Sequence, residues 1–101
     1  MYQYLTGKLI EKTPASATID VGGIGYHILI PLSTYSPLPA TGENVKLLIH
    51  HVVREDAQLL YGFFTEEERH LFRLLLSISG IGPKMATTVL SGIPLDRKSV
   101  V

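Results

Sequence analysis

The stretch Ala57-Gln58-Leu59-Leu60-Tyr61-Gly62-Phe63-Phe64-Thr65-Glu66-Glu67-Glu68 contains the join between two kinds of structure. Up to Phe64 it is a run of aliphatic and aromatic residues that suits a strand. At Thr65 the pattern changes. A threonine followed three residues later by Glu68 is a capping box: its hydroxyl accepts a backbone N–H, and the glutamate reaches back to the cap. Glu66, Glu67 and Glu68 would also lie at the positive end of the helix dipole. The acidic run therefore reads as a stabilised, solvent-facing helix start. Leu71, Phe72, Leu75 and Ile78 follow at helical spacing as one apolar stripe. The chain thus divides into a β part over residues 1–64 and a helical part over residues 65–101.

Upstream of the join, short β-like runs alternate with turn residues. Ala17-Thr18-Ile19-Asp20-Val21 alternates apolar and polar, meets Gly22-Gly23, and resumes as Gly25-Tyr26-His27-Ile28-Leu29-Ile30. Two such runs about a glycine pair predict a hairpin, with Gly25 as a candidate bulge. Residues 2–12 offer an earlier strand with a bend at Gly7. Residues 31–42 hold three prolines and read as a loop or a short helical turn. Residues 44–53 and 57–64 form two long β runs joined by Arg54-Glu55-Asp56. Five strands in this length suit a small closed barrel or a compact sandwich, and five is the count of an OB-fold. The expected fold class is mixed β then α: a five-stranded OB-fold barrel followed by a partial helix-hairpin-helix domain.

The composition sets limits on function. The chain has 101 residues, of which 46% are apolar and 18% charged, enough to bury a core. It has no apolar run of membrane-spanning length and no basic, apolar leader at Met1-Tyr2-Gln3-Tyr4-Leu5. It also lacks cysteine, which removes disulfides and thiolate zinc sites; a cytoplasmic protein is expected. Nine basic residues balance nine acidic ones, four against five in residues 1–64 and five against four in 65–101. Bulk positive charge therefore cannot be what grips a nucleic acid, and any such binding must rest on geometry.

Downstream, Ser79-Gly80-Ile81-Gly82-Pro83-Lys84 ends the first helix and starts a second, running to about Leu90 and closed by Ser91-Gly92. Residues 94–101 begin what reads as a third. Helix, Gly-apolar-Gly, helix is the helix-hairpin-helix pattern, and its physics is that of an anion site. The glycines let the turn present successive N–H groups alongside the N-terminus of the next helix. Ile81 plugs between the helices, and Lys84 adds a charge-assisted contact to the same phosphate. Such a site reads backbone and carries no base information. The bland alternative is a helical hairpin that needed two glycines to turn tightly.

Two blocks, Val52-Val53-Arg54-Glu55-Asp56-Ala57-Gln58-Leu59-Leu60-Tyr61-Gly62-Phe63 and Gly80-Ile81-Gly82-Pro83-Lys84, together with Glu68-Arg69 and Leu71-Phe72 between them, strongly resemble the RuvA family of Holliday-junction-binding proteins. Val21-Gly22-Gly23-Ile24-Gly25-Tyr26 and Pro31-Leu32-Ser33-Thr34-Tyr35 agree, and the likeness runs from Met1 to about Gly92. The resemblance implies an OB-fold barrel, a helical domain with two phosphate-binding hairpins, and a C-terminal domain that recruits the RuvB ATPase. It implies a homotetramer, or two tetramers paired as an octamer, holding a four-way junction open in recombination, repair and the SOS response to DNA damage, with the RuvC resolvase as a further partner. It implies no cofactor and no catalysis by this subunit. The chain stops before a second Gly-x-Gly hairpin, so it reads as an N-terminal piece in which RuvB recruitment is lost.

The resemblance also makes Glu55 and Asp56 an acidic pin. Two like charges about 6 Å apart repel by somewhat under 1 kcal/mol in water and by about 3 kcal/mol at an effective dielectric of 20. Four such turns clustered on a fourfold axis would push phosphates from the centre of a junction and resist a duplex running through it. Taken alone, the turn reads as an ordinary polar one. Metal-assisted nuclease chemistry would need a third acidic or histidine partner, and none stands at a convincing spacing. Arg54 is a candidate DNA contact. His50 and His51 should face opposite sides of a strand and cannot share a metal. The remaining alternatives are a generic OB-fold binder of single strands, stacking bases on Tyr2, Tyr4, Tyr26, Tyr35 or Tyr61, and a hairpin glycosylase or lyase drawing on Asp96 or Lys98.

Overall fold

The computed structural model describes residues 2–92. Five strands, β1 (Tyr4–Thr13), β2 (Ser16–Val21), β3 (Ile24–Leu29), β4 (Asn44–Val53) and β5 (Gln58–Phe63), close into a barrel in the order β1-β2-β3-β5-β4. Closure depends on a single parallel rung, Leu29 opposite Tyr61, and on the antiparallel pairing of β1 with β4. A short helix, α1 (Leu32–Tyr35), connects β3 to β4; α2 (Glu66–Leu76) and α3 (Pro83–Ser91) follow the barrel. The barrel is the five-stranded OB-fold expected from the strand count.

The alternation that marks the strands is the alternation of burial. Leu5, Leu9, Ile19, Ile28, Leu47 and Ile49 point into the barrel, while Tyr4, Thr6, Lys8 and Lys46 remain outside. The hairpin of β2 and β3 turns on Gly22 and Gly23, both with positive φ (62° and 94°), as a two-residue turn that follows the strands' twist requires. Gly25 is not a bulge: it pairs in register with Asp20. The irregularity lies between Leu9 and Glu11, where β1 pairs with β2 beyond the stretch it shares with β4.

A second cluster, Tyr61, Phe63, Phe72, Ala86 and Leu90, joins barrel to helices. Phe72 is fully buried, with its ring 4.9 Å from Phe63 and 5.3 Å from both Tyr61 and His50. The apolar stripe of α2 is therefore shorter than its spacing suggests. Phe72 carries it with Leu71 and Leu75 half-buried, whereas Ile78 lies beyond the helix end at Leu76 and is exposed, as are Leu74, Val53 and Phe64.

The capping box at Thr65 forms as expected, but the acidic run is not wholly solvated. Glu68 is buried, and its carboxylate accepts hydrogen bonds from Ser33 Oγ (2.5 Å), Thr34 Oγ1 (2.9 Å) and Thr65 N (2.9 Å). Arg69 beside it is equally buried and donates to the carbonyls of Gln3 (2.9 Å) and Ile49 (3.3 Å). It also pairs with Glu66 at 2.8 Å. That pair is surface-exposed on the glutamate side, where solvent screening leaves it little weight. Burial of the Phe72 ring, at about 1.5–3 kcal/mol, outweighs it.

Replacing Glu68 with alanine strands the Ser33 and Thr34 hydroxyls in the interior. It should cost about 2–4 kcal/mol in urea unfolding, with Glu68→Gln costing less. His50 gives a second expectation. Burial, then Arg73, Arg69 and His51 in that order, hold its pKa below the ordinary 6.5. The unfolded chain therefore binds the extra proton first, and stability present above about pH 6.5 is lost as pH falls through that value toward the lowered folded one. His50→Gln should lose less stability than the parent between about pH 7.5 and 5.

Candidate nucleic-acid interface

The turn joining β4 to β5 is closed by the Arg54 N–H, which donates to the Ala57 carbonyl at 2.7 Å. Glu55 and Asp56 stand exposed at its tip. Among the described residues neither carboxylate has a salt-bridge partner, and neither do Arg54 and Lys84. Four ionic side chains are thus left in solvent, where they can meet a ligand.

The helical hairpin takes the shape its glycines suggest. Ser77 caps α2, Gly80 turns back with φ +88°, and Gly82 (φ −94°) is the N-cap of α3, with Pro83 in the first turn. No side chain caps α3. Pro83 has no N–H, so the first-turn donors of Lys84 and Met85 have no intrahelical acceptor. A Cβ built on either glycine meets nothing within 4 Å, so the turn is open to a close approach. One expected donor is unavailable: the Ile81 N–H bonds the Ile78 carbonyl at 3.1 Å. The Ile81 side chain packs into the cluster around Phe72, as a plug between helices should.

Lys84 and Arg54 lie thirty positions apart in sequence yet line one groove of about 560 Å³. Leu29, Ile30, Leu59 and Tyr61 line its barrel side, and Thr87, Thr88 and Ser91 line the α3 side. Ser91 also ties the two sides together, its hydroxyl accepting from the Leu32 N–H at 3.1 Å. Burial pushes the Tyr61 phenol pKa up, and the nearby Arg54 guanidinium opposes the shift. The structure therefore brings Arg54 and Lys84 to one groove, and Glu55 and Asp56 follow Arg54 at the exposed tip of its turn.

His50 meets Phe72 edge to face and accepts from Arg73 Nε at 3.3 Å, whereas His51 packs on Tyr2. Among the described residues no three His, Cys, Asp or Glu side chains are grouped to hold a metal. Asp96 and Lys98, on which the glycosylase reading depends, lie outside the described residues, as does the third helix expected from residue 94. Sequence reasoning missed Arg69 and the buried side of Glu68; only the capping box hinted at the latter. No helix among the described residues is long and apolar enough to cross a membrane.

The fold is thus a closed five-stranded OB-fold barrel that carries a helical hairpin with an uncapped α3 N-terminus and an exposed acidic turn between its last two strands. A family model described as the RuvA N terminal domain matches residues 1–62. The chain is 55% identical over 97 residues to the Holliday junction branch migration complex subunit RuvA of Prosthecochloris aestuarii, 56% over 92 to that of Delftia acidovorans and 57% over 94 to that of Syntrophotalea carbinolica. These alignments cover 96%, 91% and 93% of this chain and 48%, 48% and 47% of the relatives. The chain belongs to the RuvA N-terminal domain family, and it spans about half the length of these relatives.

The two hairpin glycines should separate experimentally. Gly80→Ala places a side chain at positive φ and should cost about 1–2 kcal/mol of stability. Gly82→Ala has room and an ordinary φ, so it should cost less, about 0.5–1 kcal/mol by thermal melt, because alanine is the poorer N-cap.

Proposed function

We propose that this chain binds four-way DNA junctions as a non-catalytic scaffold of a branch migration complex in recombination and repair. The observation that carries this reading is the shared groove: Arg54 and Lys84 line it together, and the exposed Glu55 and Asp56 follow Arg54 directly in the chain. Phosphate is attracted along the groove, to the open N–H groups and Lys84 of α3, and repelled at the turn. A straight duplex can satisfy the first demand only by running its backbone past the carboxylates. A junction has strands that turn away at its centre and can satisfy both.

On this reading Gly80, Ile81, Gly82 and Lys84 form a phosphate site, Glu55 and Asp56 the acidic pin, and Arg54 a flanking phosphate contact. Residues 1–64 serve as the barrel that assembles into a homotetramer around the junction centre, and residues 65–101 as the arm-holding helical part. Paired as an octamer, two such tetramers would enclose the junction from both faces. The relatives are named as subunits of a branch migration complex, and we assign RuvB recruitment, with its ATPase, and cooperation with RuvC to the length that this chain does not span. The setting is the cytoplasm, where such DNA is found in bacteria. Membership of the RuvA family favours this over a generic single-strand binder.

The test is a gel-shift competition between a fixed four-way junction and linear duplex of the same arm sequences, at one stated salt concentration. The junction should win. Lys84→Ala should weaken junction binding and reduce the dependence of log affinity on log salt by about one unit. Glu55→Gln combined with Asp56→Gln should raise duplex affinity and narrow the preference. Unchanged duplex binding in that double variant would remove the role assigned to the turn.

A further inference from the structure

Side chains alternate across β5, so Leu59 and Tyr61 line the cationic groove while Gln58 and Leu60 line a second concavity on the other side of the ribbon. It holds about 220 Å³ and is bounded by Tyr2, Tyr26, His27, His51, Gln58 and Leu60. That is smaller than the roughly 300–1,000 Å³ of pockets for drug-sized ligands and suits one flat ring system. Its walls are themselves rings. Tyr2 meets Tyr26 edge to face at 6.0 Å and lies 5.3 Å from the His51 ring at 36°. Tyr2 is 40% exposed, so its ring remains open to a ligand.

The polar atoms are arranged for an edge as well as a face. Gln58 Oε1 lies 3.2 Å from His51 Nε2. In the tautomer with hydrogen on Nε2 the ring donates to the amide oxygen, and the Gln58 NH₂ keeps both of its donors. No lysine or arginine lines the pocket, so a phosphate is not its ligand. A phenylalanine from a second copy would cover the rings but give the Gln58 donors no acceptor, and a tyrosine would offer them a single hydroxyl oxygen. A nucleobase supplies both a π-face and acceptors. The position is also apt: Val53 opposite Gln58 is the last rung before the turn that bears Glu55 and Asp56.

We infer that this pocket takes one unpaired nucleobase, stacked on Tyr2, bordered edge-on by Tyr26 and hydrogen-bonded by Gln58, where a strand passes the acidic turn. The inference rests on the DNA-binding reading above and adds a base contact to a surface that otherwise reads only the backbone.

The test compares binding of the chain to the single strand (dT)8 and to an abasic strand of the same length and charge. The (dT)8 strand should bind about tenfold more tightly. Tyr2→Ala should bring the two within about twofold, and Gln58→Ala should cut the preference roughly threefold. Both side chains are exposed, and unchanged thermal melts would confirm that the variants fold. Lys84→Ala should weaken both strands alike and leave their ratio intact. Equal binding of the two strands, no binding of either with strand in large excess, or a preference untouched by both pocket variants would overturn the inference. So would a loss of self-association in Tyr2→Ala, seen by sedimentation, with no base preference in the parent; the pocket would then seat a second copy. A base preference that survives while junction and duplex compete equally would support the pocket and remove the junction reading.

Discussion

Glu68 accepts hydrogen bonds from Ser33, Thr34 and the N–H of Thr65, and so holds the start of α2 against α1 and the end of β5. One carboxylate caps its own helix and binds α1, thirty-four and thirty-five residues away. An unpaired charge at this depth would be costly, but these donors satisfy it, and the geometry that satisfies it is narrow. The helix must enter beside the barrel at one place and at one rotation about its axis.

With that entry set, the rest of α2 has little freedom. Arg69 reaches the Gln3 and Ile49 carbonyls on β1 and β4, and one turn further on Phe72 fills the space over Tyr61 and Phe63. The polar contacts direct the helix and the aromatic burial holds it, since the exposed Glu66–Arg69 pair is too weak to do so. Gly80 then reverses the chain, and α3 packs Ala86 and Leu90 against the same cluster. With α3 packed there, Lys84 comes to line the same groove as Arg54.

The barrel and the hairpin could be read from the chain because each is announced by local chemistry. Gly22-Gly23 can only be a tight turn, Thr65 with Glu68 can only begin a helix economically, and Gly80 before Pro83 marks a reversal. The errors were of a different kind. Gly25 looked like a bulge because it is a glycine near a turn, yet in-register pairing with Asp20 placed the irregularity in β1 instead. Ile78 fitted the helical stripe by spacing, but the helix ended at Leu76 before the stripe could reach it. Glu68 was read as solvent-facing because charge usually is; its burial depends on Ser33 and Thr34, whose approach no local pattern encodes.

The sequence alone determined the elements and their order, the turn that carries Glu55 and Asp56, and the hairpin that carries Lys84, because turns, caps and periodicity are properties of neighbours along the chain. Tertiary structure decided which of these groups act together. It put Arg54 and Lys84 on one groove, set Tyr2 beside Tyr26 and His51 on the other side of the ribbon, and turned Glu68 inward. Those juxtapositions arise from barrel closure and from packing around Phe72, which join residues far apart in sequence, and the period of a strand or helix carries no record of what lies across the fold.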